Sequence, residues 1–142
     1  MSKYDLAIAY RIYPGISKEP PIHGDDKYKL AEFCLRSFRN SLGDLKARIW
    51  VILDSCPPEY DDIFRTHFNN NDLEFIHLEK AGNPGTFGKQ MEILSNQDDS
   101  EYIYFAEDDY YYLPGQFHEA LDLIKNYRTA HFVSLYDHPD YY

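Results

Sequence analysis

Tyr102-Ile103-Tyr104-Phe105-Ala106-Glu107-Asp108-Asp109 is an apolar, aromatic run that stops abruptly at three carboxylates. Its first five residues read as a β-strand, and their near-continuous apolar character suits a parallel sheet covered on both faces. In such sheets ligands bind beyond the carboxyl ends of the strands. The acids are therefore predicted to stand at the mouth of a crevice. Crowded like charges raise the electrostatic energy unless something positive offsets them. A hard divalent cation carrying phosphate oxygens would do so.

Outward from this run, short β-like segments alternate with helical ones. Leu6 to Ile12 reads as a strand, closed by Tyr13-Pro14-Gly15. Lys27 to Leu42 reads as a helix, with Leu30, Phe33, Cys34, Phe38 and Leu42 near 3.6-residue spacing and Gly43 as its stop. Ala47 to Leu53 is a second strand with Asp54 at its tip. Pro57-Pro58 opens a helix through Phe68, as proline can in a first turn. Leu73 to Leu78 is a third strand. Gly82 to Gly88 is expected to be a loop, followed by a helix over Lys89 to Ser95. Tyr102 to Ala106 is the fourth strand, Pro114 to Tyr127 a helix, and His131 to Leu135 a fifth strand. This alternation predicts an α/β fold: one domain over residues 1–142, with a mostly parallel sheet and helices on both faces.

Bulk properties narrow the classes. The chain has 142 residues, 44% of them hydrophobic and 17% aromatic, enough for a packed core. Its formal charge of −10 argues against a general nucleic-acid binder and against docking on an anionic membrane. Cys34 and Cys56, the only cysteines, form neither a CxxC pair nor a disulfide framework, and reduced, buried thiols are expected. No apolar run is long enough to span a bilayer, and Met1 to Asp5 shows no signal-peptide core, so a cytoplasmic protein is expected.

The strand ends carry the candidate chemistry. Tyr10, Arg11 and Tyr13 supply aromatic faces and a guanidinium that suit a base and a phosphate, or the tyrosines pack beneath the loop. Asp54 can accept from a base or a ribose, or cap the turn that follows it. The run Asn83-Pro84-Gly85-Thr86-Phe87-Gly88-Lys89-Gln90 lacks the Walker pattern, because Asn83 stands where its first glycine belongs and Gln90 replaces the metal-binding hydroxyl. A glycine-rich helix start with Lys89 facing a diphosphate remains. At Glu107-Asp108-Asp109, two carboxylates at i and i+2 can turn to one crevice, one on a divalent cation and the other on its water or a ribose hydroxyl; Mg²⁺ and Mn²⁺ favour such sparse protein ligation completed by substrate phosphates. Asp137 or His138 follow the last predicted strand. The histidines show no zinc-ligand spacing.

Taken in order, these segments resemble the nucleotide-sugar-binding part of a GT-A-fold glycosyltransferase, most similar to inverting family 2. The strand into Tyr10-Arg11-Ile12-Tyr13-Pro14 resembles the family's opening strand beside the base. Asp54 resembles its base-contacting acid. The run Asn83-x-Gly85-x-x-Gly88-Lys89-Gln90 resembles its Asn-x-Gly-x-x-x-Ala-Arg-Asn element. Glu107-Asp108-Asp109 followed by Pro114 resembles the DxD motif and trailing proline, with Glu107 in place of the first Asp.

The resemblance implies a nucleoside-diphosphate-sugar donor held by Tyr10, Arg11, Tyr13, Asp54, Gly85, Lys89, Glu107 and Asp108. It implies Mn²⁺ or Mg²⁺ on Asp109 with Glu107, and an acceptor carrying a hydroxyl, carbohydrate or other. The family's catalytic base lies in chain beyond the DxD region, so the length fits a donor-binding part, with Asp137 as the only late acid near a strand end for that role. A rival expectation is a non-catalytic binding or interaction domain of the same fold.

Overall fold

The computed structural model describes residues 2–16, 18–136 and 139. Four strands and four helices alternate: β1 (Leu6–Ile12), α1 (Lys27–Leu42), β2 (Ala47–Asp54), α2 (Glu59–His67), β3 (Leu73–Leu78), α3 (Gly82–Asn96), β4 (Ile103–Glu107) and α4 (Gln116–Asn126). The strands form one parallel sheet in the order β3-β2-β1-β4. The α/β class, the parallel sheet and the helices on both faces are as the sequence predicts.

The strand order explains which face each helix takes. The chain steps one way from β1 to β2 to β3, so the crossovers α1 and α2 share a face. It then jumps back past β1 to β4, and the usual handedness of crossovers sends α3 to the other face. The order reverses between β1 and β4, which makes that boundary the switch point where open α/β sheets leave a crevice.

Alternation along β1 and β2 separates two cores. Leu6, Ile8, Tyr10 and Ile12 join Ile49, Val51 and Leu53 against Ala31, Leu35, Phe38 and Leu42 of α1, Ile63 and Phe64 of α2, and Phe117 and Leu121 of α4. The ring of Tyr10 meets Phe38 and Phe64 edge-on, each with centroids 5.2 Å apart. On the opposite face, Ala7, Ala9, Trp50 and Ile52 pack with Leu94 of α3. The small Ala7 and Ala9 let α3 approach β1 closely.

Local signals mark both ends of α1 and the start of α2. Asp26 caps α1, its side chain accepting from the Lys29 amide at 3.0 Å, and Gly43 ends that helix at φ +57°. Pro57 and Pro58 precede α2, with the Tyr60 amide donating to the Pro57 carbonyl.

Two expectations fail. Gly82 to Gly88 is not a loop but the first two turns of α3, which runs unbroken from Gly82 to Asn96. Tertiary contacts made by its first turn, described below, override the weak helix propensity of the glycines. His131 to Leu135 is not a strand; the segment is irregular. A strand needs a ladder partner, and a groove separates this segment from β4. The segment is held by side chains instead. Gln116 donates to the Leu135 carbonyl at 3.4 Å, and Ser134 turns onto the Tyr136 carbonyl at 3.0 Å.

Candidate functional site at the strand-order switch

Arg11 ends β1 and Glu107 ends β4, and they are register partners across the switch point. The Arg11 guanidinium reaches Glu107 Oε1 at 2.6 Å. Its other arm donates to the Asn83 carbonyl and the Thr86 hydroxyl, both at 3.2 Å, in the first turn of α3. A planar fork with separate arms can satisfy both groups at once, which a lysine cannot.

Asp54, at the tip of β2, binds the same helical turn from the other side. One carboxylate oxygen accepts from the Ala81 amide and the other from the Gly82 amide, each at 2.9 Å. Only 3% of Asp54 is exposed. A buried carboxylate at a helix N-terminus suits the positive end of its dipole and satisfies amides with no intrahelical partner. Gly82 takes φ +69° there, a conformation that favours glycine. Asp54 thus caps the start of α3, a role its position at the strand tip does not by itself indicate.

Alternation splits the acidic triplet. Glu107 points to the α3 face and Arg11. Asp108 points to the α1 face, where Lys27 Nζ lies 2.9 Å from Oδ2 and the Tyr13 amide donates to the same oxygen at 3.0 Å. Both side chains of this pair are nearly buried. Burial pushes the Asp108 carboxyl up from its ordinary value, and the Lys27 ammonium and the Tyr13 amide pull it back only in part. Asp109 lies past the strand end, exposed, with no ion pair among the described residues. Thus two of the three acids are offset by the chain's own cations. Asp109 is the one that presents an open carboxylate.

The remaining candidates divide. Tyr13 is exposed at the edge, and Gly85 lies exposed in the first turn of α3. Lys89, expected on a diphosphate, pairs with Glu92 one turn along α3 at 3.2 Å. Tyr10 is a correction: it is 1% exposed, with its ring between Phe38 and Phe64 and no face free for a base. Its hydroxyl is buried with no hydrogen-bond partner among the described residues, and burial drives its pKa well up. The alternation that sends Arg11 towards α3 necessarily sends Tyr10 into the core. Asp137 and His138 lie outside the described residues.

Lys27, Thr86 and Gln90 escaped the sequence reading as partners at this edge. Gln90 is buried, and its amide donates to the Ala9 and Ala106 carbonyls at 2.9 and 3.0 Å, pinning α3 across the β1–β4 seam. A signal for Lys27 did exist. A cation at the first position of a helix opposes the dipole and calls for a carboxylate partner.

A divalent cation finds a partial fit. Among the described residues, no three His, Cys, Asp or Glu side chains gather as a metal cluster. Among the described residues, Asp109 is the acid with a free carboxylate beside the switch point, which suits an ion that takes one protein carboxylate and completes its shell with water and phosphate. Glu107 fits less well, because Arg11 already holds it.

No family model matches this chain, and no curated protein does. The fold does have solved counterparts. A crystal structure of a candidate nucleotide-diphospho-sugar transferase from Desulfovibrio desulfuricans G20 superposes with a TM-score of 0.52 at 16% identity, covering 89% of this chain. The chain spans 56% of that structure's length. At this identity the likeness shows a shared fold. Among the described residues, no helix is long and apolar enough to cross a membrane.

Proposed function

We propose that this chain is a nucleoside-diphosphate-sugar-binding domain of the glycosyltransferase type, acting with Mn²⁺ or Mg²⁺. The supporting observation is the convergence of Arg11, Asp54, Glu107, Asp108 and Asp109 on one sheet edge at the strand-order switch. The shared fold with a candidate nucleotide-diphospho-sugar transferase points the same way.

In this proposal the chain's residues prepare the site. Asp54 and Arg11 fix the first turn of α3, whose exposed residues Asn83 and Gly85 then face the ligand edge. Asp108, through Lys27 and the Tyr13 amide, fixes the loop after β1, so that Tyr13 presents its exposed ring to the base. Asp109 would hold the metal. When bound, that ion offsets negative charge developing on the leaving diphosphate. The acceptor supplies a hydroxyl; Asp137 is the candidate to take its proton.

The test is turnover. Purified protein with Mn²⁺ and a panel of nucleoside-diphosphate sugars should release free nucleoside diphosphate, and Asp109→Ala should abolish it. Equal release from the variant would overturn the metal role. One observation favours the rival reading of a non-catalytic binding domain: the Arg11–Glu107 clasp leaves the switch-point acids largely satisfied without a metal. Binding of the diphosphate with no donor cleavage would select that reading.

A further inference from the structure

β4 is an edge strand, and its free side lines a long groove. The Ala7 amide donates to the Tyr102 carbonyl at 2.9 Å, which fixes the phase of the β1–β4 ladder. In a parallel ladder, alternate residues turn both backbone groups to the neighbour. Tyr104 and Ala106 therefore face β1, and the N–H and C=O groups of Ile103, Phe105 and Glu107 face outward. Among the described residues, no backbone–backbone hydrogen bond reaches that outer side, and the Tyr112 hydroxyl meets the backbone of Glu107 at its end. Beside it runs a groove of about 580 Å³ that follows β4 from Glu101 to Tyr110, walled by α4 and residues 131–136. Its lining is mainly aromatic and aliphatic, including Tyr104, Phe117, Ile124 and Phe132. Exposed apolar residues gather on both sides of the edge. Ile103, Phe87 and Met91 lie towards α3, and Leu123, Tyr127 and Phe132 towards α4, with Phe132 95% exposed.

We propose that the β4 edge accepts an extended peptide segment from a protein partner, apolar in its middle and basic at its ends, as an added strand. Free ladder groups, a groove as long as the strand and apolar flanks are what strand addition requires. The charge decides the partner's chemistry. Among the described residues, the two acids lining the groove are Glu101 and Glu107, one near each end, and no lysine or arginine lines it. A second copy of this chain fits poorly. Antiparallel pairing of two β4 edges sets the Glu101 of each copy against the acidic tip of the other, and like charges directly opposed are unfavourable. Arg11 shields Glu107 in part, so the attraction at Glu101 is the stronger.

The experiment uses the capped peptide KVTVYVK and its acidic counterpart EVTVYVE at low salt. Amide exchange followed by NMR should slow at Ile103 and Phe105 by tenfold or more with saturating KVTVYVK, leaving Tyr104 and Ala106 unchanged. EVTVYVE should bind at least tenfold more weakly. Ile103→Lys, at a half-exposed position, should remove peptide binding while nucleoside diphosphate binding persists, so the two proposals fail separately. No alternating protection at saturation would overturn the inference. So would a peptide-free dimer in sedimentation with the same amides already protected.

Discussion

Arg11 and Glu107 face each other on adjacent parallel strands, 2.6 Å apart, at the boundary where the strand order reverses. The same guanidinium holds the first turn of α3 through the Asn83 carbonyl and the Thr86 hydroxyl. Arg11→Ala should lower stability by about 2 kcal/mol, since several charge-assisted bonds in a partly buried site are lost. Glu107→Gln, at a more exposed partner, should cost only about 1 kcal/mol. Arg11→Lys should behave nearly like the alanine variant, because an ammonium cannot span both partners. Urea unfolding checks all three; a silent Arg11→Ala would show that the clasp does not hold the seam.

Asp54 anchors α3 by accepting from two amides. Asp54→Asn replaces one acceptor by a donor facing a backbone N–H, and a loss of about 1–2 kcal/mol is expected. Amide exchange should quicken first at Ala81 and Gly82. Uniform acceleration across the helix would instead mean that the carboxylate stabilises α3 as a whole.

Lys27 and Asp108 form a nearly buried pair. Lys27→Met strands the buried carboxylate and should cost about 3 kcal/mol, whereas Asp108→Asn, which like protonation only removes the buried negative charge, should cost about 1 kcal/mol or less, and combining the two should recover most of the Lys27→Met loss. The pH dependence has a definite sign. Burial raises the folded-state pKa of Asp108 above its ordinary 3.8, so the folded protein binds this proton more readily than the unfolded chain. Its contribution is full below 3.8 and is lost as pH rises through the raised value. Carbon NMR of the Asp108 carboxyl should give a midpoint above 3.8, and a midpoint below it would contradict the burial argument.

Burial pushes the Cys34 thiol up to about 11 and the Cys56 thiol up to about 12, with Asp108 adding to both. Because the thiolate is the nucleophile, neither should react quickly with a disulfide reagent at pH 8 in the folded protein. Both should react on unfolding. A fast native phase of one equivalent would mean that a thiol reaches solvent.

The architecture was largely readable from the chain, because hydrophobic period and strand-end punctuation are local properties. The run from Tyr102 to Ala106 was expected as a strand and is one from Ile103 to Glu107. The site was readable by place but not by partner. The acids at 107–109 do stand at a carboxyl edge, but Arg11 and Lys27 approach from 96 and 81 positions away to pair with Glu107 and Asp108. Sequence could not show which face each side chain takes until the register was known. Tyr10 went into the core and Asp54 onto α3 for that reason. The glycines of residues 82–88 looked like a loop because their helix is held by Asp54 and Arg11 rather than by its own propensity. The apolar run at 131–135 looked like a strand, although no neighbour among the described residues pairs with it.

Calorimetric titration of a nucleoside diphosphate, with Mn²⁺ and with EDTA, reads the metal's part in donor binding. Affinity should be at least tenfold tighter with Mn²⁺, and that difference should be lost in Asp109→Ala. Equal affinity with and without the metal, unchanged in the variant, would contradict it.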